Sequence, residues 1–457
     1  MILEQILRRD IGCAAYLVGS EAAGEAAVVD PRIDMVDEIL ALAAREGLRI
    51  RYVIETHNHA DHVAGHHQLA ARTGAAIAVH EAAGVAYPHR PLRDGDELAL
   101  GEVRLRVIHT PGHRPEHIVL AVIDTSRGDE PWAVLTGDSL FIGDVARPDL
   151  AVDGREGAGT LFDSLHRHLL GLPEGTLVYP GHVAGSLCGR VSNRMTGTTI
   201  GFERRFNPAL AIATRPDFVR YMSENLPERP PNMHRIVELN RGPAPLALHP
   251  AAPMDPAAAR RLLDQGGQVL DVREPASFGQ AHIPGAIGVW LDGAQFQNRV
   301  GLVVPVDTPL LLVAAASSAA ARATTALAVI GYTNVVGYLA GGIDAWRAAG
   351  QPVAQIPSMT VAELQATRER LQVLDVREPG EWASGHIPGA IHIPFSRVAA
   401  QAAALDPQRP VAVICGSGER SMVAASLLRA RGRDDVRNVA GGMAAWRAAG
   451  GPTTAGA

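Results

Sequence analysis

The second half of the chain contains the same sequence pattern twice. VLDVREPASFGQAHIPGAI begins at Val269, VLDVREPGEWASGHIPGAI begins at Val373, and each is followed by an AGG block that leads into AWRAAG. A repeat with a spacing of roughly 100 residues predicts two successive α/β units of one kind. Connectors rich in Pro and Ala precede both copies, as is typical of domain boundaries. We therefore expect domains at 250–355 and 356–457, and a separate N-terminal domain at 1–242.

Length and composition favour a multidomain α/β protein over a nucleic-acid-binding or membrane protein. The 457 residues are 47% hydrophobic, which suits two to four well-packed domains. The net charge is −6 and no basic tract is present, so we expect no nucleic-acid partner. The N-terminus lacks a signal-peptide pattern, and polar residues interrupt the most apolar segment, residues 309–332. We expect a cytoplasmic protein that makes no membrane contact and forms a homo-oligomer.

The three cysteines also constrain the environment. Cys13, Cys188 and Cys415 lie far apart and cannot form a disulfide framework. This pattern suits a reducing compartment, in which an important cysteine works as a thiol. Cys13 reads as a strand residue without an assigned role.

Four predicted strands of the N-terminal domain each lead to a metal-capable residue. RYVIET precedes His57, LRVIHTPG precedes His113, WAVLTG precedes Asp138, and TLVYPG precedes His182. In α/β proteins a rigid sheet often positions functional residues just beyond its strand ends. The pattern therefore predicts that these four side chains share one site.

The densest part of this pattern is THNHADH, residues 56–62. His57 and His59 are two apart, so their imidazoles can project to the same side of an extended segment. Asp61 and His62 follow where a helix is predicted to start. The motif predicts a metal centre, which is either a hydrolytic zinc pair or a single redox-active iron. The isolated histidines are interpreted as surface or capped core residues, namely His66, His67, His80, His89, His166 and His168.

The motifs resemble those of a known fold. THNHADH, TPGH at 110–113, GDSLF at 137–141 and YPGH at 179–182 resemble the metallo-β-lactamase fold, an αββα sandwich, over essentially the whole N-terminal domain. Within it, GDVARPDL and TIGFERRFNPAL resemble the persulfide dioxygenases. That resemblance implies one Fe(II) per chain, held by His57, His113 and Asp138. It also implies oxidation of a low-molecular-weight thiol persulfide by O2 to sulfite and free thiol, as in sulfide detoxification.

Two imidazoles and one carboxylate leave iron with open coordination positions, which explains why such a small ligand set suffices. The remaining metal-capable residues leave the alternative open: they either surround the iron ligands or hold a second metal. With two zinc ions the domain would instead resemble glyoxalase II, a thioester hydrolase. A third interpretation is a sulfur-trafficking module whose metal site is degenerate. The residues concerned are His59, Asp61, His62 and His182.

Two further residues are candidates for binding the substrate. Arg147, in GDVARPDL, could clamp an anionic thiol such as glutathione, or could be a surface arginine paired with Asp144 or Asp149. Cys188 follows the His182 loop, and the resemblance to bacterial dioxygenase–rhodanese fusions places a cysteine near the site. A buried structural thiol is the competing interpretation of Cys188.

The repeated units resemble the rhodanese family, small doubly wound α/β domains that carry sulfur on a cysteine. In the second copy CGSGER matches the CxxGxR loop, with Cys415 and Arg420 as the catalytic residues. A loop that curls into a helix N-terminus directs N–H groups inward, which favours a thiolate and its persulfide. The resemblance implies sulfur transfer to or from sulfite and thiosulfate. The loop residues expected to contact substrate are Gly416, Ser417, Gly418 and Glu419.

The first copy departs from this pattern. Its equivalent segment is PLLLVAAASSAAARATTAL, and counting back from Cys415 by the spacing of the AGG blocks gives Ala315. Without a thiol there is no sulfur carrier. We expect Asp271 and Arg273 to be retained for folding, and this copy to be a non-catalytic spacer or docking module.

Overall fold

The computed structural model describes residues 1–183, 195–224, 226 and 228–456. The chain forms two compact units. The first comprises Met1–Leu248 with Ala328–Gly331, and the second comprises His249–Leu327 with Tyr332–Ala457. None of the helices in the described part of the chain has both the length and the hydropathy of a membrane span.

The first unit contains two six-stranded sheets and a short β-ribbon. The sheet formed by the first strands has the order β1 to β6 and consists of β1 (Ile2–Arg8), β2 (Cys13–Ser20), β3 (Glu25–Val29), β4 (Arg49–Ile54), β5 (Ala76–His80) and β6 (Arg90–Leu92). The other has the order β14-β13-β10-β9-β8-β7 and consists of β7 (Glu97–Leu100), β8 (Val103–His109), β9 (Ile118–Asp124), β10 (Ala133–Gly137), β13 (Leu177–Pro180) and β14 (Thr198–Thr199). The ribbon pairs β11 (Leu140–Phe141) with β12 (Asp144–Val145).

Helices cover the outer faces of both sheets. They are α1 (Val36–Arg45), α2 (His66–Thr73), α3 (Gly154–Ser164), α4 (Ile200–Phe206), α5 (Arg215–Ser223) and α6 (Met233–Arg241). Alternating side chains of the two sheets, such as Tyr16 and Val18 with Leu105 and Val107, bury a common core between them. A second core lies between the other face of the second sheet and helices α3 and α5. This layering confirms the predicted αββα sandwich.

Strand direction brings the predicted strand ends together. β3, β4 and β5 run parallel, so the segments that follow them leave from one edge of the first sheet. β10 and β13 are also parallel, and Gly137 pairs with Pro180 at their carboxyl ends. Asp138 and His182 therefore emerge side by side.

The second unit contains two copies of one parallel five-stranded sheet. The sheet orders are β15-β19-β18-β16-β17 and β20-β24-β23-β21-β22, so the two topologies are the same. The first copy comprises β15 (Ala252–Met254), α7 (Pro256–Asp264), β16 (Gln268–Asp271), α8 (Pro275–Gln280), β17 (Ile287–Gly288), α9 (Phe296–Val303), β18 (Leu310–Val313), α10 (Ser317–Val329), β19 (Val335–Leu339) and α11 (Gly342–Ala348). The second comprises β20 (Ser358–Met359), α12 (Val361–Thr367), β21 (Gln372–Asp375), α13 (Pro379–Ala383), β22 (Ile391–His392), α14 (Val398–Gln401), β23 (Val411–Ile414), α15 (Glu419–Ala430), β24 (Val436–Val439) and α16 (Gly442–Ala448). The predicted pair of doubly wound α/β domains is confirmed.

Both copies keep the same buried ion pair after the strand that carries VLDVRE. Arg273 binds the carboxylate of Asp271 and donates to the Ala281 carbonyl. In the second copy Arg377 binds Asp375 and donates in the same way to the carbonyl of Gly385. The pair ties the strand end to the following loop in both copies. That Asp271 and Arg273 serve folding stays a prediction.

The register corrects one prediction about the first copy. Asp271 pairs with Val313, and the equivalent Asp375 pairs with Ile414, so Ala314 and not Ala315 occupies the position of Cys415. The prediction of Ala315 was wrong because strand β19 contains a bulge. Leu310 pairs with Val335 and Leu311 with Gly337, which leaves Val336 as an extra residue between the aligned blocks.

Candidate metal centre and cysteine loop

Three of the predicted strand-end residues converge in the first unit. The Asp138 Oδ2 atom lies 3.9 Å from Nε2 of His57 and 3.5 Å from Nε2 of His113. All three side chains are buried, and within the described residues none of these three atoms has a hydrogen-bond partner. Buried polar atoms are rarely left unpaired, and three that face one another fit a metal ion. The donor set, two imidazoles and one carboxylate, suits iron or zinc.

In both His57 and His113, the ring nitrogen that faces away from the centre, Nδ1, is held by a hydrogen bond. His113 donates from Nδ1 to the Arg147 carbonyl over 2.8 Å, which leaves its Nε2 lone pair facing the site. Nδ1 of His57 lies 2.9 Å from the Thr56 hydroxyl, and that hydroxyl donates to Asp30. His57 is therefore also oriented with Nε2 toward the centre.

Burial and charge set the protonation states of this group. Burial lowers the pKa of His57 well below its usual range, and the neighbouring histidines lower it further. Burial likewise lowers the pKa of His113. Burial alone would raise the pKa of Asp138, but the nearby His182 and His113 bring it below the ordinary value. Neutral imidazoles and an ionised carboxylate are the forms that bind a metal.

A second group lies beside the first. His182 donates to both sides, with Nδ1 2.8 Å from Asp138 Oδ1 and Nε2 2.7 Å from Asp61 Oδ2. His62 Nδ1 lies 3.2 Å from the same Asp61 oxygen. Cys13 completes the group, with its sulfur 3.6 Å from Asp61 Oδ2 and from His62 Nδ1 and 3.7 Å from His182 Nε2. The sequence analysis did not place Cys13 here, because it precedes the motif by more than 40 residues.

His59 belongs to a third group rather than to the second. Its Nε2 lies 3.2 Å from both Asp30 Oδ1 and Glu55 Oε2. Glu55 also binds His66 over 3.0 Å, so of the two interpretations given for His66, surface or capped core residue, the structure shows the second. Burial opposes ionisation of Glu55, but hydrogen bonds from His59 and His66 lower its pKa to about 2.

Two positioning residues escaped the sequence analysis. His117 accepts a hydrogen bond from the Asp138 backbone N–H over 2.9 Å, and its spacing from His113 was the available signal. Asn240, on α6, donates to the carbonyls of His59 and His62 over 3.0 and 2.8 Å and accepts from the Ala64 N–H. No motif surrounds Asn240, so its role follows only from the tertiary structure.

The structure bears on one of the two residues predicted to bind the substrate, Arg147, and not on the other, Cys188. Arg147 is 2% exposed and binds Asp149 over 2.7 Å, so the predicted pairing with Asp149 is present but the residue is buried. Its carbonyl orients His113, as described above. Cys188 lies outside the residues that the structure describes.

The second candidate site is the loop between β23 and α15. Cys415, 1% exposed, follows β23, and its sulfur accepts from the Gly418 N–H over 3.1 Å and from the Ser421 hydroxyl over 3.4 Å. Gly418 has φ 106°, a conformation that glycine adopts without steric cost. Arg420 forms two hydrogen bonds to Glu381, at 2.6 and 2.8 Å. Burial opposes the charge of Arg420, but Glu381 raises its pKa above the ordinary value.

Fold and sites together define a class: an αββα sandwich with a candidate metal centre of histidine and aspartate, followed by paired α/β domains of which one carries a cysteine loop. The family model of the metallo-beta-lactamase superfamily matches residues 8–182, and that of the rhodanese-like domain matches 255–349 and 360–449. The chain belongs to the metallo-β-lactamase superfamily, in a fusion with two rhodanese-like domains.

Three similar proteins cover between 36% and 74% of the chain. The mitochondrial persulfide dioxygenase ETHE1 of Bos taurus is 30% identical over 229 residues, which are 50% of this chain and 83% of the relative. A hydroxyacylglutathione hydrolase of Rhodospirillum rubrum is 36% identical over 172 residues, 36% of this chain and 60% of the relative. The crystal structure of a metallo-beta-lactamase from Staphylococcus aureus matches with a TM-score of 0.66 and 26% identity, over 74% of this chain and 98% of its own.

Proposed function

We propose that the first unit oxidises a low-molecular-weight thiol persulfide with O2 at a single Fe(II) held by His57, His113 and Asp138. The observation that carries this proposal is the contrast between two neighbouring groups. The facing atoms of this triad lack partners within the described residues, whereas both nitrogens of His182 are already engaged by carboxylates. Similarity to a persulfide dioxygenase over half of the chain supports the same reading.

The reaction consumes the persulfide RSSH, O2 and water and releases the thiol RSH and sulfite. Iron(II) would supply the redox chemistry with O2, which redox-inert zinc cannot. The chain supplies the rest. The hydrogen bond from His113 to the Arg147 carbonyl fixes the lone pair that faces the metal, and His182 holds Asp138 Oδ1 so that Oδ2 stays available.

The second candidate function is a binuclear zinc thioester hydrolase. Similarity to a hydroxyacylglutathione hydrolase favours it, as does the group of Cys13, Asp61, His62 and His182 beside the triad. Against it, Asp61 Oδ2 and His182 Nε2 lie 2.7 Å apart, so in this structure these two atoms are engaged with each other.

Metal analysis combined with two substrate assays tests the choice. We expect about one iron per chain, as one mononuclear site requires, and O2 uptake on glutathione persulfide. Two zinc ions per chain, no O2 uptake and rapid hydrolysis of S-lactoylglutathione would establish the hydrolase instead. Protein that binds no metal and is inactive in both substrate assays would indicate a degenerate metal site.

We further propose that Cys415 transfers sulfane sulfur in the same pathway. A sulfite ion attacks the outer sulfur of a Cys415 persulfide, forms thiosulfate and releases the Cys415 thiolate; the reverse reaction loads Cys415 from thiosulfate. The N–H of Gly418 and the hydroxyl of Ser421 support negative charge on this sulfur. Cys415→Ser should abolish thiosulfate turnover and leave O2 uptake intact. Retained turnover would exclude Cys415 as the carrier.

A further inference from the structure

We propose that the cysteine-less rhodanese-like copy positions the Cys415 loop through an ion pair between Arg299 and Glu419, rather than acting as a spacer. This inference rests on the proposed sulfur transfer at Cys415. Arg299 lies on α9 of the first copy, and Glu419 is the first residue of α15 in the second copy. Both belong to the second compact unit.

The ion pair is partly removed from solvent. Arg299 Nη1 lies 2.7 Å from Glu419 Oε2, and the side chains of Arg299 and Glu419 are 10% and 23% exposed. The first copy approaches the carboxylate closely, because a Cβ added to Gly293 would come within 3.0 Å of Glu419 Oε2. Removing Arg299 leaves this half-buried carboxylate without its partner. In this the contact differs from pairs of fully exposed side chains, which contribute little.

Glu419 is the neighbour in sequence of a hydrogen-bond donor to the reactive sulfur. It follows Gly418, whose N–H donates to Cys415 Sγ over 3.1 Å. A fixed Glu419 consequently fixes the backbone that carries this donor. The first copy contacts the same helix at two further points: the Gly288 N–H donates to Ser426 Oγ over 3.2 Å, and Met422 packs against Gly279.

The charges around the loop are balanced from both copies. Arg420 is neutralised within its own copy by Glu381, and Glu419 is neutralised by Arg299 from the other. Without Arg299, the carboxylate of Glu419 would be unbalanced one residue after Gly418, the donor to Cys415, and a negative charge beside this loop would oppose a thiolate. Arg299 is thus a positioning residue that acts on Cys415 through Glu419.

A cavity of about 630 Å³ next to the loop has walls from both copies. Glu274 and Trp290 of the first copy line it together with Ser417, Glu419 and Met422 of the second. A ligand that enters this cavity therefore contacts the cysteine-less copy while it lies against the cysteine loop. This is an independent reason why the first copy cannot be exchanged without affecting the second.

The test uses full-length Arg299→Ala with Arg322→Ala as matched control. Arg322 also lies in the first copy and pairs with a carboxylate, Asp292, but that pair is exposed. Two quantities are measured: kcat/KM for sulfur transfer from thiosulfate to cyanide, and the pH dependence of Cys415 alkylation by iodoacetamide, followed on the Cys415 peptide by mass spectrometry. The pH midpoint of alkylation distinguishes a positioning role from a loss of stability. A loss of stability would lower Tm without moving this midpoint.

For Arg299→Ala we expect kcat/KM to fall by roughly tenfold and the alkylation midpoint to rise, because the change leaves the half-buried Glu419 carboxylate unbalanced beside the cysteine loop. Adding Glu419→Gln should return the midpoint toward the wild-type value, since the unpaired charge is then gone. Arg322→Ala should behave as wild type. If Arg299→Ala does not fold, Arg299→Gln, which also removes the positive charge but keeps a longer side chain, takes its place with the same expected results.

A wild-type midpoint and rate in Arg299→Ala, together with an inactive Cys415→Ser, would overturn this inference and leave the sulfur transfer in place. Absence of sulfur transfer in the wild-type chain would instead contradict the proposed function. The alkylation profile would still decide whether Arg299 acts on Cys415, because it does not require turnover.

Discussion

At the scale of single residues, the sequence identified the metal-capable side chains but not which of them lie together in the structure. Spacing alone placed His57, His59, Asp61 and His62 in one cluster, since all lie within one short motif. The structure separates them into three groups, because His59 turns toward buried carboxylates. Tertiary contacts with residues far away in sequence, such as Cys13, decide that separation. The motif alone does not predict this separation, because the carboxylate of Asp30 and the thiol of Cys13 come from distant parts of the sequence.

A pair of aspartate variants distinguishes one metal from two. Asp138→Asn should reduce bound iron to a small fraction, because it removes the only carboxylate of the triad. Asp61→Asn should retain about one iron per chain, since Asp61 binds His182 and His62 instead. The two changes are chemically the same and both positions are enclosed, so metal content by mass spectrometry compares them directly. Equal loss of metal in both variants would support a binuclear centre.

At the scale of secondary-structure elements, strand patterns predicted the architecture well. Apolar runs that end in polar residues mark β4, β8, β10 and β13, because the pattern of apolar residues indicates a strand and the polar residues after it indicate where the strand ends. The error at Ala315 has an equally local cause. A bulge adds one residue to β19 without changing its apolar character, so composition gave no sign of it.

Helix α6 should matter for metal retention although it carries no ligand. Its Asn240 side chain joins three backbone groups of the motif loop, and Asn240→Ala leaves these buried groups without partners. We expect a loss of about 1–3 kcal/mol in the free energy of unfolding. We also expect roughly tenfold faster loss of iron to a chelator, as is typical when groups that orient metal ligands are removed.

Asn334→Ala provides the control for α6. Asn334 also donates to two backbone carbonyls, those of Val306 and Thr308, but in the second unit. Its variant should be destabilised without any change in the rate of iron loss. If both variants lose iron at the wild-type rate, α6 has no part in holding the motif loop.

At the scale of the whole molecule, the repeat predicted the order of domains, while their division into units needed the structure. The two rhodanese-like copies fall into one compact unit, and residues 328–331 group with the first unit although they lie within the repeat. Sequence periodicity reports where similar segments begin. It does not report which surfaces bury one another, which is why the link between Arg299 and Glu419 was not predicted.

The positions of the tryptophans allow the unfolding of the two units to be followed separately in one chain. Trp132 lies in the first unit, whereas Trp290, Trp346, Trp382 and Trp446 lie in the second. A bound metal stabilises the unit that binds it, by about 2.7 kcal/mol when its free concentration is roughly 100 times Kd. Chelation should therefore lower the calorimetric transition of the first unit and leave the main tryptophan-fluorescence transition unchanged. An equal decrease in both would mean that the two units unfold as one cooperative block, because only then can metal bound in one unit stabilise tryptophans in the other.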